Sequence, residues 1–68
     1  MEYKFSLRAA RAYAGLSLHE ASEKLGVSYP TLQGWESGRV EPKPSKIEEM
    51  ATLYGVEAKD IFLQQKST

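Results

Sequence analysis

Cysteine is absent from this chain of 68 residues. Neither a disulfide framework nor a thiolate-bound metal can therefore stabilise the domain, although many small domains depend on one or the other. His19 is the single histidine, so the zinc motif that a histidine followed by Glu20 would begin lacks its second histidine. We expect neither a metal nor a cofactor, and we interpret His19 as a solvated residue near the start of a helix.

Long hydrophobic runs are missing as well. The longest stretch without a formal charge, residues 25–35, is interrupted by glycine and proline and is too short to span a bilayer. Residues 1–4 lack the apolar segment of a signal peptide. These observations predict a soluble, cytoplasmic protein.

The chain contains little of what an enzyme needs. It has one histidine, no cysteine, no glycine-rich phosphate loop and too few residues to enclose a sizeable pocket. Ser17 lies two residues before His19, and residues two apart on a helix do not face each other. We interpret Ser17 as a helix cap and expect no enzymatic activity.

An excess of positive charge, which is typical of nucleic-acid-binding domains, is also missing, because nine basic side chains balance nine acidic ones. The charge is nevertheless unevenly distributed. Residues 1–46 carry seven basic and five acidic side chains, whereas residues 47–68 carry two and four. The net charge of zero argues against nucleic-acid binding, and the mildly basic character of residues 1–46 weakens that argument.

The signals that are present are those of short helices in a single domain. The length allows one domain over residues 1–68, with an ordered core at about 5–63 and a tail at 64–68. No stretch shows the alternation of a strand or a hairpin. A first helix is predicted over about residues 6–14, with Gly15 as its left-handed cap.

Two further helices follow in close succession. Ser17 and Glu20 form a capping-box pattern, which opens a second helix that ends before Gly26. Ser28 is an N-cap candidate for the third helix. Pro30 fits the first turn of that helix, where the N–H that proline lacks would have no partner.

The rest of the chain predicts two more helices. A proline-punctuated loop covers residues 39–44, and a second capping box at 45–48 opens a fourth helix that Gly55 closes. A short fifth helix is predicted over about residues 58–63. The fold predicted from this pattern is all-α.

A helix-turn-helix signature lies in the middle of the chain. Residues 17–25 and 29–37 are two helices joined by the glycine-containing turn 26–28. Leu32 and Trp35 face inward at helical spacing, so the opposite face of the second of these helices is free. That face can enter the major groove of DNA, which is wide enough to admit a helix.

Six short segments follow one another along the chain: LRAAR at 7–11, AGLS at 14–17, EKLGVS at 23–28, TL at 31–32, WESG at 35–38 and LYGV at 53–56. In order and spacing they resemble the lambda-repressor-like, or Cro/XRE, family of DNA-binding domains, and the resemblance covers residues 7–63. It implies a compact five-helix domain whose recognition helix, at about 29–37, lies in the major groove. It also implies a sequence-specific regulator of transcription that binds a double-stranded operator as a homodimer.

The resemblance also assigns residues to DNA. In that family, base edges are read from the start of the third helix and one turn further along. Those positions hold Tyr29, Pro30, Gln33 and Gly34 here. Phosphates are contacted at the positions of Ser17, Leu18, Ser28, Thr31, Ser37, Arg39 and Lys43.

One matched pair is structural. Arg11 and Glu36 match an arginine–glutamate pair that ties the first helix to the end of the third.

Three DNA-contact positions depart from the family. Leu18 stands where the family often has glutamine and can offer phosphate only its backbone N–H. Pro30 cannot read bases by hydrogen bonding, and Gly34 has no side chain at all.

The sequence is therefore compatible with two functions, protein interaction and DNA binding. The neutral charge and the three departures favour a protein-interaction module of the antitoxin or adaptor type, which keeps the fold with weak or no DNA binding. Thr31, Arg39 and Lys43, at phosphate-contact positions, favour DNA. The preferred interpretation is a DNA-binding regulator of phage, plasmid or mobile-element type.

Overall fold

Four α-helices make up most of residues 5–63, the part of the chain that the computed structural model describes. The tail predicted at 64–68 lies outside this part. No helix among the described residues is long and apolar enough to cross a membrane. The elements in chain order are β1 (Phe5–Ser6), α1 (Leu7–Tyr13), α2 (Leu18–Leu25), α3 (Tyr29–Ser37), α4 (Pro44–Tyr54), a 3-10 turn (Ala58–Asp60) and β2 (Ile61–Phe62).

Serine hydroxyls begin the first three helices. The Oγ atoms of Ser6, Ser17 and Ser28 each accept a hydrogen bond from the backbone N–H three residues later, at 3.1, 3.1 and 3.3 Å. At the start of α2 the Glu20 carboxylate also accepts from the Ser17 N–H at 2.9 Å, which completes the predicted capping box. The hydrogen bond from the Ser17 backbone N–H holds the pKa of the Glu20 carboxyl below its ordinary value.

The capping box predicted at residues 45–48 is wrong. Helix α4 begins two residues earlier, with Pro44 in its first position and Lys43 as an N-cap that makes no side-chain cap hydrogen bond. Proline suits this position because its fixed φ is helical and its missing N–H would have no partner there. The proline therefore decides where the helix begins, and Ser45 lies inside it.

The predicted fifth helix at residues 58–63 is also wrong, and with it the count of five helices, whereas the predicted all-α class is supported. The chain makes one 3-10 turn at Ala58–Asp60 and then becomes extended. Ile61 and Phe62 pair in parallel with Phe5 and Ser6. Two-residue strands are too short to show alternation, so the sequence pattern could not signal them. The fold of the described residues is mostly helical, with four helices.

A single apolar core lies between the helices. Trp35 is buried in it, as its spacing predicts, and Tyr54 is buried in it as well, with 8% and 2% of their surface exposed. Leu32 and Trp35 anchor one face of α3, which leaves the opposite face pointing away from the core. The buried apolar residues are Leu7, Ala10, Ala21, Leu25, Leu32, Trp35, Met50, Ala51, Tyr54 and Ile61.

Candidate nucleic-acid interface

A tight turn sets the angle between α2 and α3. Gly26 ends α2 with φ +71°, a conformation that residues with a Cβ seldom adopt. The next N–H, that of Val27, donates back to the Ser22 carbonyl at 3.0 Å, and the Val27 side chain packs against the core. Ser28 then caps α3. The predicted sharp reversal is present, and it holds the two helices as one unit.

The outward face of α3 carries four of the eleven residues that the sequence assigns to DNA. Pro30, Thr31, Gln33 and Ser37 are exposed. Because Leu32 and the neighbouring inward residues are fixed in the core, these exposed side chains have a defined direction. The structure thus brings candidate base-reading and phosphate-contacting residues onto one surface.

Tyr29, the first predicted base reader, is half-buried and stacks on a residue that the sequence analysis treated as solvated. Its ring lies 4.3 Å from that of His19 between centroids, with an interplanar angle of 29°. His19 is in the first turn of α2 and exposed. The contact bridges the two helices, and no sequence signal marks it because it depends on the angle between them.

Gly34 is a predicted base-reading position that lies buried. A Cβ placed on Gly34 would lie 3.4 Å from Nη2 of Arg39 and 3.7 Å from Cγ2 of Val40. The loop after α3 therefore folds back over the glycine. In this arrangement the backbone at Gly34 is covered by the side chain of Arg39.

The predicted phosphate-contacting hydroxyls already have partners within the chain. The Oγ of Ser28 lies 2.8 Å from that of Thr31, and the Ser37 hydroxyl donates to the Gly34 carbonyl at 3.2 Å. A hydroxyl has one donor and two acceptor positions, so Ser28 and Thr31 together keep capacity for a further contact. Lys43 is exposed beside α4.

A groove of about 300 Å³ lies between α1, the start of α2 and α3. Leu18 forms its half-buried apolar wall, and Gln33 and Ser37 line it from α3. Arg8 lines it from α1 and is exposed, although the sequence analysis gave it no role. A signal was available, since Arg8 precedes Arg11 by three residues and therefore shares its helix face.

Among the described residues, no three or more His, Cys, Asp or Glu side chains come together in a group that could hold a metal ion. A second groove, of about 440 Å³, lies between α2 and α4 on another part of the surface. Its lining mixes apolar and charged side chains from the two helices, and none of them is among the residues assigned to DNA: Lys24, Leu25, Glu48, Glu49, Thr52 and Leu53.

A family model described as a helix-turn-helix domain matches residues 6–61. The chain belongs to this family. A relative from Methanocaldococcus jannaschii, named as an uncharacterized HTH-type transcriptional regulator, is 32% identical over 62 residues, which cover 91% of this chain and 94% of the relative. No solved structure matches the chain significantly. The match to the family confirms the helix-turn-helix prediction and is consistent with the Cro/XRE resemblance.

In this helix-turn-helix domain a partly buried ion pair fixes α3 against α1. Arg11 donates from Nε to Glu36 Oε2 at 2.7 Å and from Nη2 to Oε1 at 3.0 Å. Its Nη1 donates to the Leu16 carbonyl at 2.9 Å. The side chains are 13% and 7% exposed, and the hydrogen bond with Glu36 raises the pKa of Arg11. The last turn of α3 is thereby held in one orientation.

The core of the helix-turn-helix domain contains one hydroxyl without a hydrogen-bond partner among the described residues, that of Tyr54. Burial raises the pKa of Tyr54 to about 12, and the negative charge of Glu36 acts in the same direction. The positive charge of Arg11 opposes both. The Tyr54 ring therefore lies close enough to the ion pair for its ionisation to depend on it.

Proposed function

We propose that this helix-turn-helix domain binds double-stranded DNA sequence-specifically and regulates transcription, as a repressor or activator of phage, plasmid or mobile-element type. The observation that supports this function is the polar, outward face of α3, held in a fixed direction by Leu32, Trp35 and the ion pair of Glu36. The name of the relative from Methanocaldococcus jannaschii agrees with it. A cytoplasmic, non-enzymatic role belongs to the same proposal.

Binding would place α3 in the major groove and α2 across the phosphate backbone. Gln33 is exposed on α3 and has an amide that can pair with the N6 and N7 atoms of adenine. The first N–H groups of α2 have no helical carbonyl one turn earlier to which they could donate, so the N–H at Leu18 can donate to a phosphate despite its apolar side chain. Thr31 and Lys43 would contact phosphates on either side of the groove.

A homodimer on a two-fold operator is part of the proposal. In helix-turn-helix proteins two copies bind half-sites that lie about 34 Å apart, one turn of the DNA duplex. One copy of this domain offers a single short recognition helix, Tyr29–Ser37, with few side chains able to read bases. Two copies double the number of base pairs that are read and would compensate for the sparse contacts of each.

Selection of bound duplexes from a random pool, followed by a salt titration, tests the proposed function. We expect one enriched motif, and affinity for it should fall as salt rises, with a log–log slope of about −0.9 for each phosphate neutralised. Gln33→Ala should keep the melting temperature of the parent and lose about 1–3 kcal/mol of discrimination at one base pair. A motif that Gln33→Ala leaves unchanged would show that another face of α3 contacts the bases.

A protein-interaction module of the antitoxin or adaptor type is the second candidate. Its support is the zero net charge together with Leu18 and Pro30, which offer no side-chain hydrogen bond at two DNA-contact positions. Failure of the parent to enrich any duplex at low salt, or binding that is insensitive to salt, would reject DNA binding and favour this candidate.

A further inference from the structure

In the middle of the outward face of α3 lies a glycine that is covered by residues of the following loop. Pro30 and Ser37, four residues before and three residues after Gly34, share its helix face and are exposed. Gly34 between them is buried, and Arg39 and Val40 are what cover it. A loop side chain therefore occupies the place that a side chain at position 34 would fill.

Backbone hydrogen bonds bring Arg39 to this place. Gly38 adopts φ +83° and reverses the chain at the end of α3. The N–H groups of Arg39 and Val40 then both donate to the Gly34 carbonyl, at 3.0 and 3.2 Å. Because its backbone is tied to the last turn of α3, the Arg39 side chain runs back along the helix, with Nη2 3.4 Å and Nε 3.9 Å from the Cβ position of Gly34.

The Arg39 guanidinium is available to a ligand. Arg39 is exposed, and its side chain makes no hydrogen bond or ion pair with any residue in the range 5–63. Arg11 differs in this respect, since Glu36 and a backbone carbonyl use its donors. A guanidinium offers N–H donors in a planar fork, and those of Arg39 are all free.

We propose that Arg39 reads a guanine in the major groove, in the place of the side chain that Gly34 lacks. This inference rests on the proposed DNA-binding function and reassigns Arg39 from the phosphate contact that the family resemblance implies. The planar fork of arginine matches the O6 and N7 acceptors of guanine, and this pairing is the commonest specific contact in that groove.

The position of Arg39 favours a base over a phosphate. When a helix lies in the major groove, the middle of its outward face is nearest the base edges, and the phosphates flank it on both sides. Arg39 covers that middle, between the exposed Pro30 and Ser37. Gly34 permits it, because a larger side chain at position 34 would displace the guanidinium from the helix surface.

The test measures affinities for every single-base variant of the selected operator, at low salt, for the parent, Arg39→Ala and the control Lys43→Ala. We expect Arg39→Ala to lose about 5- to 150-fold of discrimination at one guanine. Lys43→Ala should weaken all duplexes by one common factor and keep the motif. If Arg39→Ala behaves like Lys43→Ala, Arg39 contacts phosphate and the inference is overturned.

Replacement of that guanine by 7-deazaguanine, which lacks the N7 acceptor, makes the test independent of any change in the protein. The parent and Lys43→Ala should bind the modified duplex more weakly than the unmodified one, whereas Arg39→Ala should bind the two duplexes with equal affinity. Equal losses in all three proteins would overturn the inference.

Folding and the proposed function are controlled separately. Arg39 has no side-chain partner among the described residues, so Arg39→Ala should melt at the temperature of the parent. If the parent selects no duplex, the proposed function and this inference both fall. If it selects a motif that does not depend on Arg39, this inference alone falls.

Discussion

At the scale of single residues, a substitution at Gly34 tests the stability of α3 separately from the contacts made by the side chains on its outward face. Glycine in a helix interior costs about 1 kcal/mol relative to alanine, so Gly34→Ala should raise the free energy of unfolding by up to that amount. The added methyl group would lie 3.4 Å from the flexible end of Arg39, which can move. Urea denaturation of the parent and the variant measures the change.

Gly26→Ala is the matched control for this prediction. Nothing lies within 4 Å of a Cβ at Gly26, so only its φ of +71° opposes alanine. Because a left-handed conformation costs a residue with a Cβ about 1–2 kcal/mol, this variant should be less stable than the parent. Loss of stability in both variants would mean that Arg39 and Val40 pack too tightly over Gly34 to yield.

The raised pKa of Tyr54 predicts that the folded domain loses stability at alkaline pH. Its pKa in the folded chain is about 12, above the ordinary value of 10.0, because burial favours the neutral phenol. The contribution of Tyr54 to stability is fully present below pH 10 and is lost as the pH rises towards the folded-state pKa. Denaturation of Tyr54→Phe across this range should show a weaker dependence on pH than the parent.

At neutral pH, Tyr54→Phe should be at least as stable as the parent. The hydroxyl is buried without a partner among the described residues, and an unsatisfied buried polar group costs about 1–3 kcal/mol. Tyr13→Phe is the control, since Tyr13 is 67% exposed and its hydroxyl is free to bind water. A large loss of stability at pH 7 in Tyr54→Phe alone would show that the hydroxyl has a bonding partner.

At the scale of helices, the Arg11–Glu36 pair couples α1 to α3. Removing one partner leaves a partly buried charge unpaired, so the loss should lie between the about 0–1 kcal/mol of an exposed pair and the about 3–5 kcal/mol of a fully buried one. A double-mutant cycle of Arg11→Ala and Glu36→Ala should therefore give a coupling energy above the surface range. Additive losses would mean that each residue acts through its own packing.

Where helices begin and end was predictable when one strong local signal was present. Ser17 with Glu20, Ser28 and the glycine at 26 each act within a single turn, so the sequence contains all the information. Before α4 two local signals compete, and Pro44 prevails over Ser45. The segment 58–63 depends on a distant partner, β1, which no local pattern reveals.

At the scale of the whole molecule, the candidate interface was predictable in part. The spacing of Leu32 and Trp35 correctly predicts which face of α3 is buried, and the exposure of Gln33 follows from it. The cover over Gly34 and the His19–Tyr29 stack arise from the path of a loop and the angle between helices. These features depend on tertiary geometry, so residue spacing could not predict them.

The pairing of β1 with β2 has a consequence for the kinetics of folding. It joins the two ends of the described chain, so the loop that it closes is among the longest available, and closing a long loop costs more conformational entropy than forming a local helix. We therefore expect this contact to be absent from the transition state for folding, so that it slows unfolding and has little influence on the folding rate.

Ile61→Val tests this in a stopped-flow experiment. Ile61 is 7% exposed, and losing one buried methylene should cost about 1 kcal/mol. We expect that cost to appear almost entirely as faster unfolding, by about fivefold, with an unchanged folding rate. Slower folding would instead place the strand pair in the nucleus. If unfolding alone accelerates, the pairing of two residues near each end of the described chain determines how long the folded state lasts.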